Sequence, residues 1–323
     1  MPTPSRVKST AIAWFLGSLT LLSSPSVAAE SNVAASLLSE AASVTPGVPF
    51  HAGIRMRMRP GWHVYWKNPG DSGLPPKITW SLPGGFSAGP IEWPVPERFQ
   101  DEMLMSYGYA GEVILPVEMI PPATIDADSV TISGALQWLE CQDVCLPGAA
   151  TVRFSLPVST QKTAPGPDAA ALAAARSKVP GPPSGWSLSA EAGPRTIALA
   201  FDPPSGLTPR SAYLFVDQPL VTEHAAPQGF GRSRDGYRLT LQPAANASGN
   251  PARLSGVLWV EGRGSKSAAI RVDVPVAGGD PDPASAPPNP RKWPLAATVG
   301  VVAIAGLGLL LLKRRARPTS TRT

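Results

Sequence analysis

Hydrophobic and polar residues alternate with period two along several stretches of the chain. Phe50, Ala52, Ile54, Met56 and Met58 fall on one side of such a stretch, and His51, Arg55, Arg57 and Arg59 on the other. That spacing predicts a strand with one buried face. Pro60-Gly61 predicts a turn, after which Trp62, Val64 and Trp66 alternate with His63, Tyr65 and Lys67. Further strands are predicted at 77–82, 112–119, 130–140 and 151–156, separated by turns at Asn68-Pro69-Gly70, Pro83-Gly84-Gly85 and Pro147-Gly148. Residues 159–185 lose the alternation, with Pro/Gly-rich stretches around a short helix at 169–178, and predict a linker. Strands resume at 186–190, 196–201, 212–216, 237–241, 254–260 and 268–274. Many short strands with turns every eight to twelve residues predict an all-β chain of two β-sandwiches, 30–158 and 186–276. Neither a Gly-rich phosphate loop nor a nucleophile elbow occurs in the sequence.

Both ends are patterned differently. Arg6 and Lys8, the apolar run 11–22 and the small-residue step Val27-Ala28-Ala29 predict a secretory signal over residues 1–29. A Pro/Ala/Asp-rich spacer, 277–292, leads to 293–312, twenty residues without a charge. At about 1.5 Å per residue that run spans a hydrocarbon core of about 30 Å. Lys313, Arg314, Arg315 and Arg317 follow it, which predicts a single-pass protein with residues 313–323 in the cytoplasm and 30–290 outside.

Charge changes meaning once this topology is drawn. The formal net charge is +5, but the signal, the membrane-proximal pair Arg291 and Lys292, and the tail hold nine of the basic residues. The exported part keeps 19 basic against 23 acidic residues, a net of −4, and has no basic stripe interleaved with aromatics. The sequence therefore predicts a membrane partner and no nucleic acid.

Cys141 and Cys145 are the only cysteines, so in an oxidising compartment they are expected to pair with each other. Residues four apart on one extended strand lie about 13 Å from each other, beyond disulfide reach. Gln142-Asp143-Val144 must therefore bend, as a hairpin loop or a helical turn, and the strand pattern on both sides favours the hairpin. Two roles stay open. A ring this small stabilises by only about 2 kcal/mol in the chain-entropy model, which makes it a modest staple; a short-loop disulfide is also a plausible redox switch. Glu140 and Asp143 flank the pair, and their charge is expected to raise the thiol pKa and slow indiscriminate attack. The same cysteines with His51, His63, His224, Met103 or Met105 would suit copper(I) chemically, but no metal-ligand spacing links them, and no metal site is assigned. Met103-Leu104-Met105, apolar in an expected loop after Asp101-Glu102, either belongs to the core or covers a site.

Three ordered blocks carry a family resemblance. Gly61-Trp62-His63-Val64-Tyr65-Trp66-Lys67-Asn68-Pro69-Gly70-Asp71-Ser72-Gly73-Leu74-Pro75-Pro76 resembles a signature of the amino-terminal periplasmic domain of DsbD-type thiol:disulfide interchange proteins. Tyr107-Gly108-Tyr109-Ala110-Gly111-Glu112-Val113-Ile114-Leu115-Pro116-Val117 and Trp138-Leu139-Glu140-Cys141-Gln142-Asp143-Val144-Cys145-Leu146-Pro147-Gly148 resemble the same family, most closely its ScsB branch, linked to suppression of copper sensitivity. The resemblance implies an immunoglobulin-like sandwich in the periplasm whose cysteine pair sits between adjacent strands, and the apolar run 293–312 is expected to tether it to the inner membrane. It implies that Cys141 and Cys145 exchange electrons with periplasmic thioredoxin-fold partners without a small-molecule cofactor, Cys145 being the cysteine that bonds to partners. It places a shielding cap at residues 99–106, with Asp101, Glu102 and Met103 as its acidic-acidic-apolar tip, and His63 and Tyr65 as aromatic residues near the pair. Family members generally continue into a multi-helix electron-carrying core, whereas this sequence has one apolar span, so a separate membrane electron donor is expected. The alternatives are a non-catalytic adaptor whose disulfide is a staple, or a copper-tolerance protein that binds the metal.

Overall fold

The computed structural model describes residues 31–280, apart from 102, 162, 163, 248 and 265. The predicted signal and membrane span lie outside the described residues. Among the described residues, no helix is long and apolar enough to cross a membrane.

The first sandwich has ten strands: β1 (Val33–Ser39), β2 (Phe50–Met58), β3 (His63–Gly70), β4 (Lys77–Ser81), β5 (Ser87–Ile91), β6 (Glu97–Asp101), β7 (Leu104–Ala110), β8 (Glu112–Ile120), β9 (Ser129–Cys141) and β10 (Cys145–Pro157). One sheet runs β1-β2-β8-β5 and the facing sheet β10-β9-β3-β7-β6, with β4 also on β9. The alternation along β2 does what it predicts. Phe50, Ala52, Ile54, Met56 and Met58 are buried, while Arg55 and Arg57 turn to Glu112 on β8. Val113, Leu115, Val117 and Met119 of β8 meet Ile132, Leu136 and Trp138 of β9 in the same core. Each such side chain contributes about 1.5–3 kcal/mol by leaving water.

Two predicted turns are parts of strands. Pro147-Gly148 lies inside β10, which starts at Cys145 and not near residue 151. β10 ends its sheet, where a missing N–H is tolerated, and a Cβ at Gly148 would overlap the Trp138 indole across the pair. Asn68-Pro69-Gly70 closes β3, whose register with β7 shifts between Tyr65 and Gly70.

The stretch predicted as a linker packs down. Helix α1 (Ala169–Arg176) buries Leu172 and Ala175 against Leu38 and Ile114. Gly53 of β2 makes the room, since a Cβ there would press on Leu172 and Ile114. Farther on, the Gly181 carbonyl accepts the Arg271 N–H at 2.8 Å.

The second sandwich comprises β11 (Ser187–Ala192), β12 (Ile197–Asp202), β13 (Pro209–Val216), β14 (Gly229–Ser233), β15 (Gly236–Leu241), β16 (Arg253–Gly262) and β17 (Ser267–Ala277). Strands β13-β16-β17 and β11-β12-β15-β14 are joined where β11 meets β17 in parallel. Leu214, Leu258 and Val272 pack with Leu199, Phe201 and Leu239 between them.

The two sandwiches share an interface. Tyr213, Leu214, Phe215 and Val216 are all buried. Leu214 and Val216 enter their own core, and Tyr213 and Phe215, on the other face of β13, join the core of the first sandwich. Phe215 meets Trp66 and Tyr107 edge-on at 6.1 and 5.2 Å, and the Tyr107 and Tyr213 hydroxyls share a 2.8 Å hydrogen bond. Asn68, 3% exposed, donates to the Val216 carbonyl at 2.8 Å. Lys67 pairs with Asp217 at 2.7 Å.

Candidate functional site

β9 and β10 pair in register over their whole length, and the last pair is Cys141 with Cys145. Their Cα atoms are 4.2 Å apart and the sulfurs are bonded. Gln142, Asp143 and Val144 form the tip, closed by the Gln142 N–H on the Val144 carbonyl at 3.2 Å. The hairpin alternative is thus the one adopted. The two cysteines are not equivalent. Cys141 is 2% exposed, whereas Cys145 is exposed, between Val144 at 60% and Leu146 at 41%.

β3 supplies the neighbours. His63 stands opposite Cys141 in the β3–β9 register, and the Tyr65 hydroxyl lies 3.4 Å from Cys145 Sγ. Tyr65 is held from behind by the loop after β3. Gly73 sits against the phenol ring at φ +98°, where any Cβ would overlap it. Burial raises the Tyr65 pKa, so the group facing the sulfur is a neutral phenol. His63 is edge-on to Tyr65 at 5.2 Å and stacks on Phe99 of β6 at 4.5 Å. Burial lowers the His63 pKa from 6.5, which favours the neutral ring at neutral pH.

The segment expected as a cap loop is a regular hairpin, with β6 and β7 paired from Glu97 opposite Gly108 to Asp101 opposite Leu104. Regular pairing satisfies its backbone groups, which an open loop would leave to water. Only Phe99 among the β6 residues is half-buried, so the cap rests on the His63 stack. Asp101 and Met103 lie at the outer end, Met103 at 85% exposure, and Glu102 is outside the described residues. The structure thus brings His63 and Tyr65 to the cysteines and leaves Asp101 and Met103 facing solvent.

Glu140 departs from its expected role. On β9 its side chain shares a face with Trp138, opposite to that of Cys141. It accepts from the Trp138 indole at 2.9 Å, Ser31 Oγ at 2.8 Å, and the Asn32 N–H and side-chain amide at 2.8 and 3.1 Å. Burial alone would raise its pKa, but these donors outweigh burial and hold the carboxyl below its ordinary 4.5. Its charge secures the strand base of the hairpin and is not aimed at the thiols.

The residues considered as soft-metal donors are scattered. His51 lies between Glu40 and Glu92, His224 against Asp71, and Met105 in the first core. Among the described residues, no cluster of three His, Cys, Asp or Glu groups suited to a metal ion occurs. Beside the hairpin, a groove of about 640 Å³ runs along Leu74, Pro75, Trp93, Trp138, Leu139 and Pro147.

Residues 34–157, which hold Cys141, Cys145, His63, Tyr65 and Phe99, match the family described as the N-terminal part of thiol:disulfide interchange protein DsbD. This segment is a DsbD-type amino-terminal domain. No curated protein matches the chain in sequence. Among solved structures, the N-terminal periplasmic domain of ScsB from Proteus mirabilis is 19% identical, with a TM-score of 0.53 over 76% of this chain and 92% of that one. That span is longer than the DsbD-type domain, so the shared all-β, immunoglobulin-like fold takes in the second sandwich as well. The N-terminal Ig1-2 module of the Drosophila receptor protein tyrosine phosphatase DLAR, 12% identical over 75% of this chain and 98% of that one, aligns with a TM-score of only 0.18, too low to establish a shared arrangement.

Several residues around the DsbD-type site were not singled out from sequence. Phe99 was only the edge of a cap range, and Gly73 was one glycine in a turn-rich block. Their pairing with His63 and Tyr65 depends on register between strands far apart in the chain, which no local pattern encodes.

Proposed function

We propose that this chain is a periplasmic thiol–disulfide exchange protein, tethered to the inner membrane by residues 293–312, which passes electrons between thioredoxin-fold partners through Cys141 and Cys145. One observation carries the reading: the disulfide sits at a hairpin end, with Cys145 an exposed residue and Cys141 a buried one. A thiolate of the reductant attacks Cys145 Sγ, the bond to Cys141 breaks, and Cys141 leaves as a thiolate that takes a proton. The second thiol of the reductant then attacks its own bonded sulfur, which releases reduced Cys145 and leaves the reductant as a disulfide. Two electrons and two protons have moved. The same steps in reverse reduce an envelope substrate. Apolar Val144, Leu146 and Leu74, at 60, 41 and 62% exposure, suit the shallow apolar surface beside a thioredoxin-fold active site. In this reading the reductant is a separate membrane electron donor.

The test is a redox titration of the full-length chain, with free thiols trapped and counted across glutathione and thioredoxin buffers. The expected result is a potential above about −300 mV and exchange with a dithiol thioredoxin-fold protein. A potential well below that value with no exchange would mark a staple and leave an adaptor.

A further inference from the structure

Among the described residues no bond links the second sandwich to either cysteine, yet it grips the hairpin that stacks on His63 beside them. Asp71, directly after β3, is the meeting point. Its backbone N–H donates to the Met105 carbonyl at 2.9 Å, and its Oδ2 accepts the Met105 N–H at 2.8 Å, so Asp71 clamps the first turn of β7 from both sides. Ser72 and Ser106 extend the clamp with a 2.9 Å hydroxyl pair. The other carboxylate oxygen, Oδ1, lies 2.9 Å from Nδ1 of His224, in the second sandwich. A carboxylate can only accept, so Nδ1 is the donor. His224 is 6% exposed, and its Nε2 is buried with no partner among the described residues. A buried imidazole with one nitrogen left unsatisfied is costly, and its bond to Asp71 is the interaction that offsets the cost. The loop carrying it is itself fixed, with Thr222 bridged to Pro243 and the Glu223 N–H on the Gln242 carbonyl at 3.0 Å. A second grip falls on the other strand of the same hairpin, where the Arg98 guanidinium of β6 lies 4.4 Å from the Tyr213 ring centre.

We infer that the second sandwich braces the cap hairpin of the redox site, with His224 as a positioning residue that aims the Asp71 carboxylate at the Met105 N–H. Among the described residues, the inward anchors of the cap are the Phe99 stack and the buried Met105 that Asp71 holds, so the brace sets how firmly the outer end of β6–β7 is kept beside His63 and Tyr65. A domain-interface contact thereby bears on the hairpin that stacks on His63, next to a disulfide to which no bond from the second sandwich runs among the described residues. This inference rests on the exchange reading for its biological meaning, but not for its test.

The experiment measures amide hydrogen exchange at Leu104 and Met105, and the rate at which dithiothreitol reduces the disulfide, in the full-length chain. His224→Leu keeps an apolar filling and removes the donor. Both rates are expected to rise about tenfold, the loss of a hydrogen bond to a charged group. His224→Asn, whose amide nitrogen stands near the position of Nδ1, is expected to restore both to within about twofold, which a merely structural role for the ring would not give. Asp71→Asn loosens the link from the other end by losing one of its two acceptors, so a poorly folded His224→Leu protein would not remove the test. Tyr213→Phe breaks the neighbouring Tyr107 bond and is expected to leave the rate within about twofold, since it spares Asp71. Unchanged rates in His224→Leu and Asp71→Asn would overturn the brace, as would equal acceleration by Tyr213→Phe with no rescue by His224→Asn. Dithiothreitol reads the hairpin whether or not a thioredoxin-fold protein reacts, so failure of the exchange function would leave this result standing.

Discussion

Cys141→Ser is expected to form a stable mixed disulfide with a thioredoxin-fold partner, and Cys145→Ser to form almost none. In the first variant the remaining thiol, Cys145, is exposed beside Val144 and Leu146; in the second it is Cys141, 2% exposed behind the β9–β10 pair. To react, Cys141 would need the hairpin end to open. A local opening of about 3 kcal/mol slows the reaction roughly 100-fold. Neither variant should unfold, because the ring supplies only about 2 kcal/mol and β9 stays paired to β10 as far as Ser129 opposite Pro157. The measurement is the release of thionitrobenzoate from a single-cysteine partner carrying that chromophore on its active-site sulfur. Equal rates would remove the asymmetry on which the mechanism stands. Two unreactive variants would remove the exchange function itself.

The parts of this site that were legible in sequence are the local ones. Alternation placed β2 and β9, and the length of a strand forced Gln142-Asp143-Val144 to turn. Two residue types misled for a physical reason. Proline and glycine mark turns because of what they do to an isolated backbone, but Pro147 sits on a sheet edge and Gly148 yields its volume to Trp138. Local chemistry cannot report a neighbour supplied by another strand. β1 was missed because Val33-Ala34-Ala35-Ser36-Leu37-Leu38-Ser39 has no period of two. It is extended because β2 offers it a register, from Val33 opposite Met58 to Ser39 opposite Ala52.

The interface between the sandwiches did leave a trace. The sequence predicts a strand from Ala212 to Val216, in which Tyr213-Leu214-Phe215-Val216 does not alternate. An unbroken apolar run marks a strand covered on both faces. Its second cover is the first sandwich, through Trp66 and Tyr107. The same contact explains why Asn68 and Asp71 stand in a block that otherwise reads as a turn. Asn68 satisfies the end of β13 and Asp71 receives His224. The turn is thus the docking point for a domain that the linker composition made look independent.

Glu140→Ala is expected to cost about 3 kcal/mol of folding stability, the second large effect, although the residue never meets a sulfur. Its carboxylate satisfies the Trp138 indole and the donors of Ser31 and Asn32, and truncation would bury those groups without partners. Glu140→Gln keeps the volume but turns an N–H₂ toward donors, and is expected to lose about 2 kcal/mol. The two variants share a pH signature. Folding lowers the Glu140 pKa below 4.5 because its hydrogen bonds outweigh burial, so around pH 4 the unfolded chain binds more protons than the native one. The stability this group contributes is complete above its unfolded pKa and is lost as pH falls through the folded value. Urea unfolding of the wild type from pH 7 to pH 3 should therefore show a loss of stability beginning near pH 4.5 that is shallower in Glu140→Gln. Parallel curves would mean that folding leaves the Glu140 pKa where the unfolded chain has it, and that the hydrogen bonds do not favour the ionised form. The hairpin base would then owe its rigidity to the β9–β10 ladder and not to the charge-assisted bonds that tie residues 31 and 32 beneath it.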